Sequence, residues 1–379
     1  MIPARETNSD PGRDNALASR LIIHLSWLVP LIALFTVAAT FFVSPPVLLT
    51  GFVLAGTIMA AVHHAEVIAH KVGEPLGTLV LALAVTVLEV GLIVTLMLGS
   101  AEGAATLARD TVIAAVMIIL NLLVGLCLLI GGLRHREQSF RQTGVSAALA
   151  TLSALTVLSL VLPNYTISEP GPAYSTSQLA FVATVSLILY VTFVTVQTVR
   201  HREYFLRPSS AKTISSQGEA ESATDPISSP QALVSAGLLV VSLGSVVLLA
   251  KALSGPLDAA FEGAGLPRAL VGVTIAALVL APEGIAATRA ALANRLQTSL
   301  NLALGSALAT IGLTIPAVAV VSIMIDLPIA LGLSAKGIVL LLLTLLVTTQ
   351  SLATGRTTIL QGMVHLVIFG VYLFTTIVP

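Results

Sequence analysis

From residue 20 onward the chain repeats one pattern: roughly twenty apolar residues, then a short break carrying proline, glycine or charge. Each run is close to the roughly 20 residues that take an α-helix across a bilayer. The pattern predicts eleven spans, at 20–43, 47–70, 76–99, 111–132, 144–163, 176–199, 231–251, 266–290, 298–323, 326–350 and 357–378. Turn chemistry separates several of them: Ser44-Pro45-Pro46, Gly73-Glu74-Pro75, Pro163-Asn164 and Glu169-Pro170-Gly171-Pro172. The one long polar connection, 200–230, is rich in serine and charge, carries Pro208, Pro226 and Pro230, and reads as a flexible linker. Residues 1–19 read as a disordered cytoplasmic tail. The first apolar run is too long for a secretory signal and lacks a small-residue cleavage site, so it is expected to remain as a helix.

The linker leaves six spans before it and five after. With the first helix (20–43) set aside, the segments 47–199 and 231–379 each hold five. An odd-numbered repeat enters the membrane in the opposite sense the second time, so the expected architecture is an all-α polytopic membrane protein of eleven transmembrane helices, one N-terminal helix plus two inverted five-helix repeats. Two segments support the repeat: 73–91 (GEPLGTLVLALAVTVLEVG) and 265–284 (GLPRALVGVTIAALVLAPEG) both open on Gly-x-Pro and both reach a glutamate.

Charge orients this array. With the N-terminus in the cytoplasm, fourteen of the 18 lysines and arginines fall inside, among them Lys71, Arg134, Arg136, Arg141, Arg200, Arg202, Arg289, Arg295 and Arg356. Arg109, Lys251 and Arg268 fall outside, and Lys336 lies within a span. The positive-inside rule therefore predicts a cytoplasmic N-terminus, an external C-terminus and residence in the inner (plasma) membrane. Composition agrees: 56% of residues are hydrophobic, and only 9% are charged, against about 25% in soluble domains. Net charge is zero and no basic stripe invites nucleic acid. Cys127 is the only cysteine, which excludes an intrachain disulfide. No sequence feature specifies an oligomer or calls for a cofactor.

The candidate chemistry lies in the two glutamates. Glu89 sits about 13 residues into its helix, roughly 20 Å from the cytoplasmic end, and Glu283 sits about 17 residues into a helix running the other way. Both fall near the middle of the hydrocarbon layer, where an ionisable side chain costs at least about 2.5–3.5 kcal/mol. Such groups mark ion paths, and the expectation is a shared cation and proton site. A proton and a cation compete for the same oxygens, and either one neutralises a site too costly to carry empty past lipid. That competition suffices for coupled exchange.

Pro282, immediately before Glu283, removes a helical hydrogen bond and frees carbonyl oxygen nearby, the kind of ligand transporters offer to cations. Thr86, Asn121, Ser306 and Thr310 are candidate supporting ligands. Carboxylates, hydroxyls and carbonyls make an all-oxygen site suited to Ca²⁺, Na⁺ or K⁺. His63, Glu66 and His70 share one helix face near the cytoplasmic end of the second span. They are candidates for pH sensing or proton entry, since imidazole changes charge across physiological pH.

The runs AEVIAHKVGEPLGTLVLALAVTVLEVGLIV, LVLAPEGIAATRAALANRLQTSLNLALGSALATIGLTIP and SLATGRTTILQGMVHL resemble the ChaA-type antiporters, a branch of the calcium/cation–proton exchanger superfamily. The resemblance covers about 55–378. It implies the eleven-helix inverted-repeat fold and a cation and proton sharing Glu89 and Glu283. The chain departs from the calcium/proton exchangers, which carry patterns like GNAVE before each glutamate: here stand Val85-Thr86-Val87-Leu88 and Val279-Leu280-Ala281-Pro282. Gly305-Ser306 keep a family Gly-Ser, whereas Val116-Met117 do not. Fewer side-chain oxygens favour broad selectivity, with Na⁺ or K⁺ exchanged alongside Ca²⁺. An intramembrane enzyme using glutamate and histidine, or a passive cation channel, are the alternatives.

Overall fold

The computed structural model describes residues 27–43, 45–73, 76–99, 104–205, 229–267 and 269–378. The tail 1–19 and most of the linker at 200–230 lie outside these. The chain is helical throughout: α1 (Trp27–Thr40), α2 (Val47–Val72), α3 (Leu76–Gly99), α4 (Ala104–Met117), α5 (Val124–His135), α6 (Gln142–Thr156), α7 (Thr176–Thr195), α8 (Ser229–Gly263), α9 (Ala269–Leu292), α10 (Leu296–Met324), α11 (Ala335–Ser351) and α12 (Ile359–Ile377). A π-helical turn, Ile118–Leu123, joins α4 to α5 as one continuous span. Among the described residues eight helices are long and apolar enough to cross a membrane, and three further apolar helices are shorter.

Two expected spans differ in extent. The expected helix 326–350 begins only at Ala335. Asp326 has φ 53°, and the stretch after it runs as extended chain whose backbone bonds to neighbours: Ala330 N–H to Ala105 O, Gly332 N–H to Pro172 O and Leu333 N–H to Leu160 O. Ile329, Leu331 and Leu333 are buried, so this loop is as apolar as a helix, and hydropathy cannot separate the two. Conversely, α8 runs past 251, through Pro256 to Gly263.

The described loops gather at two ends. At one end His135 Nε2 meets Leu292 O at 2.9 Å, Gln138 Nε2 donates to Ala291 O and Asn294 Oδ1, and Asn301 Nδ2 donates to Phe205 O. There too β1 (Gln138–Ser139) pairs antiparallel with β2 (Arg356–Thr357), and Arg356 salt-bridges Glu137 at 3.2 Å. At the other end Arg109 donates to Gly332 O. The first end carries Arg134, Arg136, Arg141, Arg202, Arg289, Arg295 and Arg356; the second carries Arg109. Helices α3 and α9 run in opposite directions between these ends.

Packing is reciprocal across the two halves. The leading helices α2 and α8 lie together, α3 packs on α10, and α9 packs on α4, an arrangement consistent with inverted repeats. Two main hydrophobic cores result. The larger joins the span α4–α5 with α6, α7, α10, α11 and α12; the smaller joins α1, α2, α3, α8 and α9. Small residues allow the closest crossings. A side chain at Gly362 would clash with the Leu129 backbone, and one at Gly125 would clash with His365, so α5 and α12 touch backbone to backbone in the manner of membrane helix pairs.

Candidate functional site

Glu89 on α3 and Glu283 on α9 both lie on helices that pack against α10. Helix α3 buries Glu89, 7% exposed, against α10, where Thr310 is 3% exposed. The Thr310 hydroxyl stands 2.9 Å from both carboxylate oxygens and donates a shared hydrogen bond. Glu283, on α9, is close enough for its charge to act on Glu89. Ser306, one turn before Thr310 on α10, stands beside Glu283, yet neither its hydroxyl nor Glu283 Oε2 has a hydrogen-bond partner, and both atoms are buried.

The local sequence explains this convergence. Ser306 and Thr310 are four apart and so share one face of α10. That face serves both glutamates, Thr310 toward α3 and Ser306 toward α9. Pro282 is buried inside α9. Its ring leaves the Leu278 carbonyl without the N–H that would otherwise cap it. Thr86 is buried one turn before Glu89.

A cavity of about 20 Å³ adjoins Glu89, lined by Thr111, Thr310 and apolar side chains including Leu92, Ile93, Val279 and Leu280. It has room for about one water-sized guest, hence for a cation stripped of most of its hydration. Thr111, buried on α4, was not singled out from the sequence. Its signal was faint: one hydroxyl directly after the charged pair Arg109-Asp110, at the head of an apolar run whose partner helix lies far away in the chain.

The remaining candidates are placed elsewhere. Asn121 lies in the π turn, fully buried, and donates to Thr344 Oγ1 at 2.9 Å while its Oδ1 meets His365 Nδ1 at 3.3 Å. Its bonds therefore lead to α11 and α12, not to either glutamate. His365, a single imidazole in an apolar helix and fully buried, is a residue the sequence does display. On α2, His63 is half-buried while Glu66 and His70 are exposed. His64, off the face that those three share, is buried and packs edge-on against His63, ring centroids 5.5 Å apart. Among the described residues no three His, Cys, Asp or Glu side chains converge on a metal-sized point.

Residues 44–199 and 234–378 match the family model described as sodium/calcium exchanger protein. The chain belongs to this family. It is a family of membrane ion exchangers, not of enzymes. The sequence is 49% identical over 360 residues to the y4hA protein of Sinorhizobium fredii, covering 93% of this chain and 96% of that one. It is 34% identical over 327 residues to the sodium-potassium/proton antiporter ChaA of Escherichia coli, covering 85% and 86%. Among solved structures, the H⁺/Ca²⁺ exchanger CAX superposes with a TM-score of 0.70 at 17% identity, over 94% of this exchanger and 88% of that chain. That likeness establishes the fold.

Proposed function

We propose that this exchanger moves hard cations against protons, with Glu89 and Glu283 as the shared site and Thr310, Ser306, Thr86 and the carbonyl freed by Pro282 as supporting oxygens. The observation that carries this reading is the buried, unpartnered Oε2 of Glu283 beside the hydrogen-bonded Glu89. A carboxylate oxygen at membrane depth is costly without a proton, a cation or a donor, so the geometry favours a group whose partner arrives and leaves. The reading assigns this chain to the ChaA-type branch, which the 34% identity to a sodium-potassium/proton antiporter supports.

Ion choice depends on the oxygens present. Ca²⁺ normally takes six to eight oxygen ligands, whereas the cavity beside Glu89 offers two hydroxyls and a carboxylate within largely apolar walls. One charge and a few weak oxygens suffice for Na⁺ or K⁺, so these are exchanged alongside Ca²⁺. In everted vesicles energised to an acid interior, adding Na⁺ or K⁺ should release protons. Release by Ca²⁺ alone refutes the broad selectivity, and cation flux with no proton counterflow identifies a channel instead.

The same reading places the arginine-rich end in the cytoplasm and treats 47–199 and 231–379 as inverted repeats. A reporter fused after Pro379 should then be active only outside the membrane; cytoplasmic activity refutes the eleven-span orientation.

A further inference from the structure

A second cavity, separate from the one beside Glu89 but sharing Leu280 with it, lies on the outer face of the bundle between α5 and α9. It encloses about 430 Å³ and is lined by Ile118, Leu122, Leu126, Ala281, Ile285 and Arg289, among others. Its floor is the contact of Leu123 with Gly284, where any added side-chain carbon would come within 2.7 Å of the leucine. Its outer wall is open: Ala277, Ala281 and Ile285 are exposed on α9. From Ala277 to Arg289 the groove follows twelve residues of helix, about 18 Å, which is slightly more than half of the hydrocarbon layer.

The groove is amphipathic along its length, not across it. Everything but Thr288 and Arg289 is hydrocarbon, and Arg289 stands at the arginine-rich end. Among the described residues no carboxylate pairs with Arg289. Glu137, an acid at the same end, is held by Arg356 at 3.2 Å, and His135 is occupied with Leu292 O. Arg134, in the last turn of α5, is exposed at the same end. We infer that this groove binds one acyl chain of an anionic phospholipid, with the headgroup phosphate on Arg289. An apolar channel one leaflet deep that ends in an unpaired guanidinium matches such a molecule in both length and charge. Basic pockets between transmembrane helices at this depth take anionic headgroups, and arginine reaches the interface along its own methylenes. Because the groove backs α9 at Pro282 and Gly284, the lipid would brace the helix that carries Glu283.

Native mass spectrometry of the purified full chain tests this, with phosphatidylglycerol or phosphatidylcholine of identical acyl chains added in turn. The wild type should retain the phosphatidylglycerol adduct in preference. Arg289→Gln should weaken that retention about fivefold, the effect of one basic residue near an anionic surface, and Arg289→Lys should restore it. Ala281→Trp, at an exposed position where the indole enters the groove without displacing packed side chains, should abolish retention of both lipids. Equal retention of the two lipids by the wild type, an unchanged preference in Arg289→Gln, or a second copy of the chain in place of lipid would each overturn the assignment. None of these outcomes depends on which ions the protein exchanges.

Discussion

Glu89 on α3 and Glu283 on α9 lie on helices that run in opposite directions, and their surroundings differ. Glu89 has both oxygens on the Thr310 hydroxyl; Glu283 keeps one buried oxygen short of a hydrogen-bond partner, with the Ser306 hydroxyl beside it. Two like carboxylates thus sit in unlike surroundings: their neighbours on α10 make one a held group and leave the other with capacity to spare. The lesson concerns site design: single hydroxyls decide which of two similar charges is committed in a given conformation.

Removing either carboxylate should break the comparison with the largest effect. Glu89→Gln and Glu283→Gln each keep size and cannot release a proton, so each should drop exchange below detection in vesicles while the protein still inserts. Retained wild-type exchange in one variant would show that only the other glutamate carries ions.

Thr310→Val sharpens it. A hydrogen bond to a charged group contributes about 1.5–3 kcal/mol, so the concentration for half-maximal exchange should rise roughly ten- to a hundredfold. Ser306→Ala removes a hydroxyl that stands beside Glu283 without the two-oxygen hydrogen bond that Thr310 makes to Glu89, and should shift the same quantity by less than about threefold. Equal effects from the two would mean that the difference between the glutamates has no functional weight.

The Asn121 cluster supplies a control outside the pair. Thr344→Val leaves the Asn121 amide without its acceptor inside the membrane, worth about 0.6–2 kcal/mol. Thermal stability should fall while cation half-saturation stays put. Smallest of all, His63→Ala or His70→Ala should move the pH at which exchange switches on and leave its maximum rate intact. An unchanged profile in the double variant removes α2 from proton handling.

Much of this was legible in the sequence because a membrane helix writes its own length. Proline and glycine breaks set the ends, arginines set the alternation, and two carboxylates in apolar runs stood out by cost alone. The buried loop at 326–334 escaped because Ile329, Leu331 and Leu333 satisfy hydropathy as well as a helix does. Asn121 was named as a candidate ligand, but its partners escaped for a geometric reason. A π turn inserts one extra residue and rotates the next stretch of helix by about 100° relative to an unbroken one. No residue type announces that rotation, and within it Asn121 meets Thr344 and His365. Thr310 was visible as a polar residue on α10, but its partner on α3 lies 221 positions away, a pairing that only packing reveals.

The smallest element of the fold bears on how the protein is made. Strands β1 and β2 join loops 219 positions apart, and α12 also fills the glycine crossing on α5 and supplies His365 to Asn121. A ribosome delivers α5 long before it delivers α12. Through most of synthesis, then, the first half sits in the bilayer with a buried amide short of a partner and a helix face uncovered. Such long-range closure is slow and comes late. Helix α12 therefore acts as the completing clasp of the amino-terminal half, and a chain stopped before Ile359 should be recognised as unfinished by membrane quality control even though Glu89 and Glu283 are already in place.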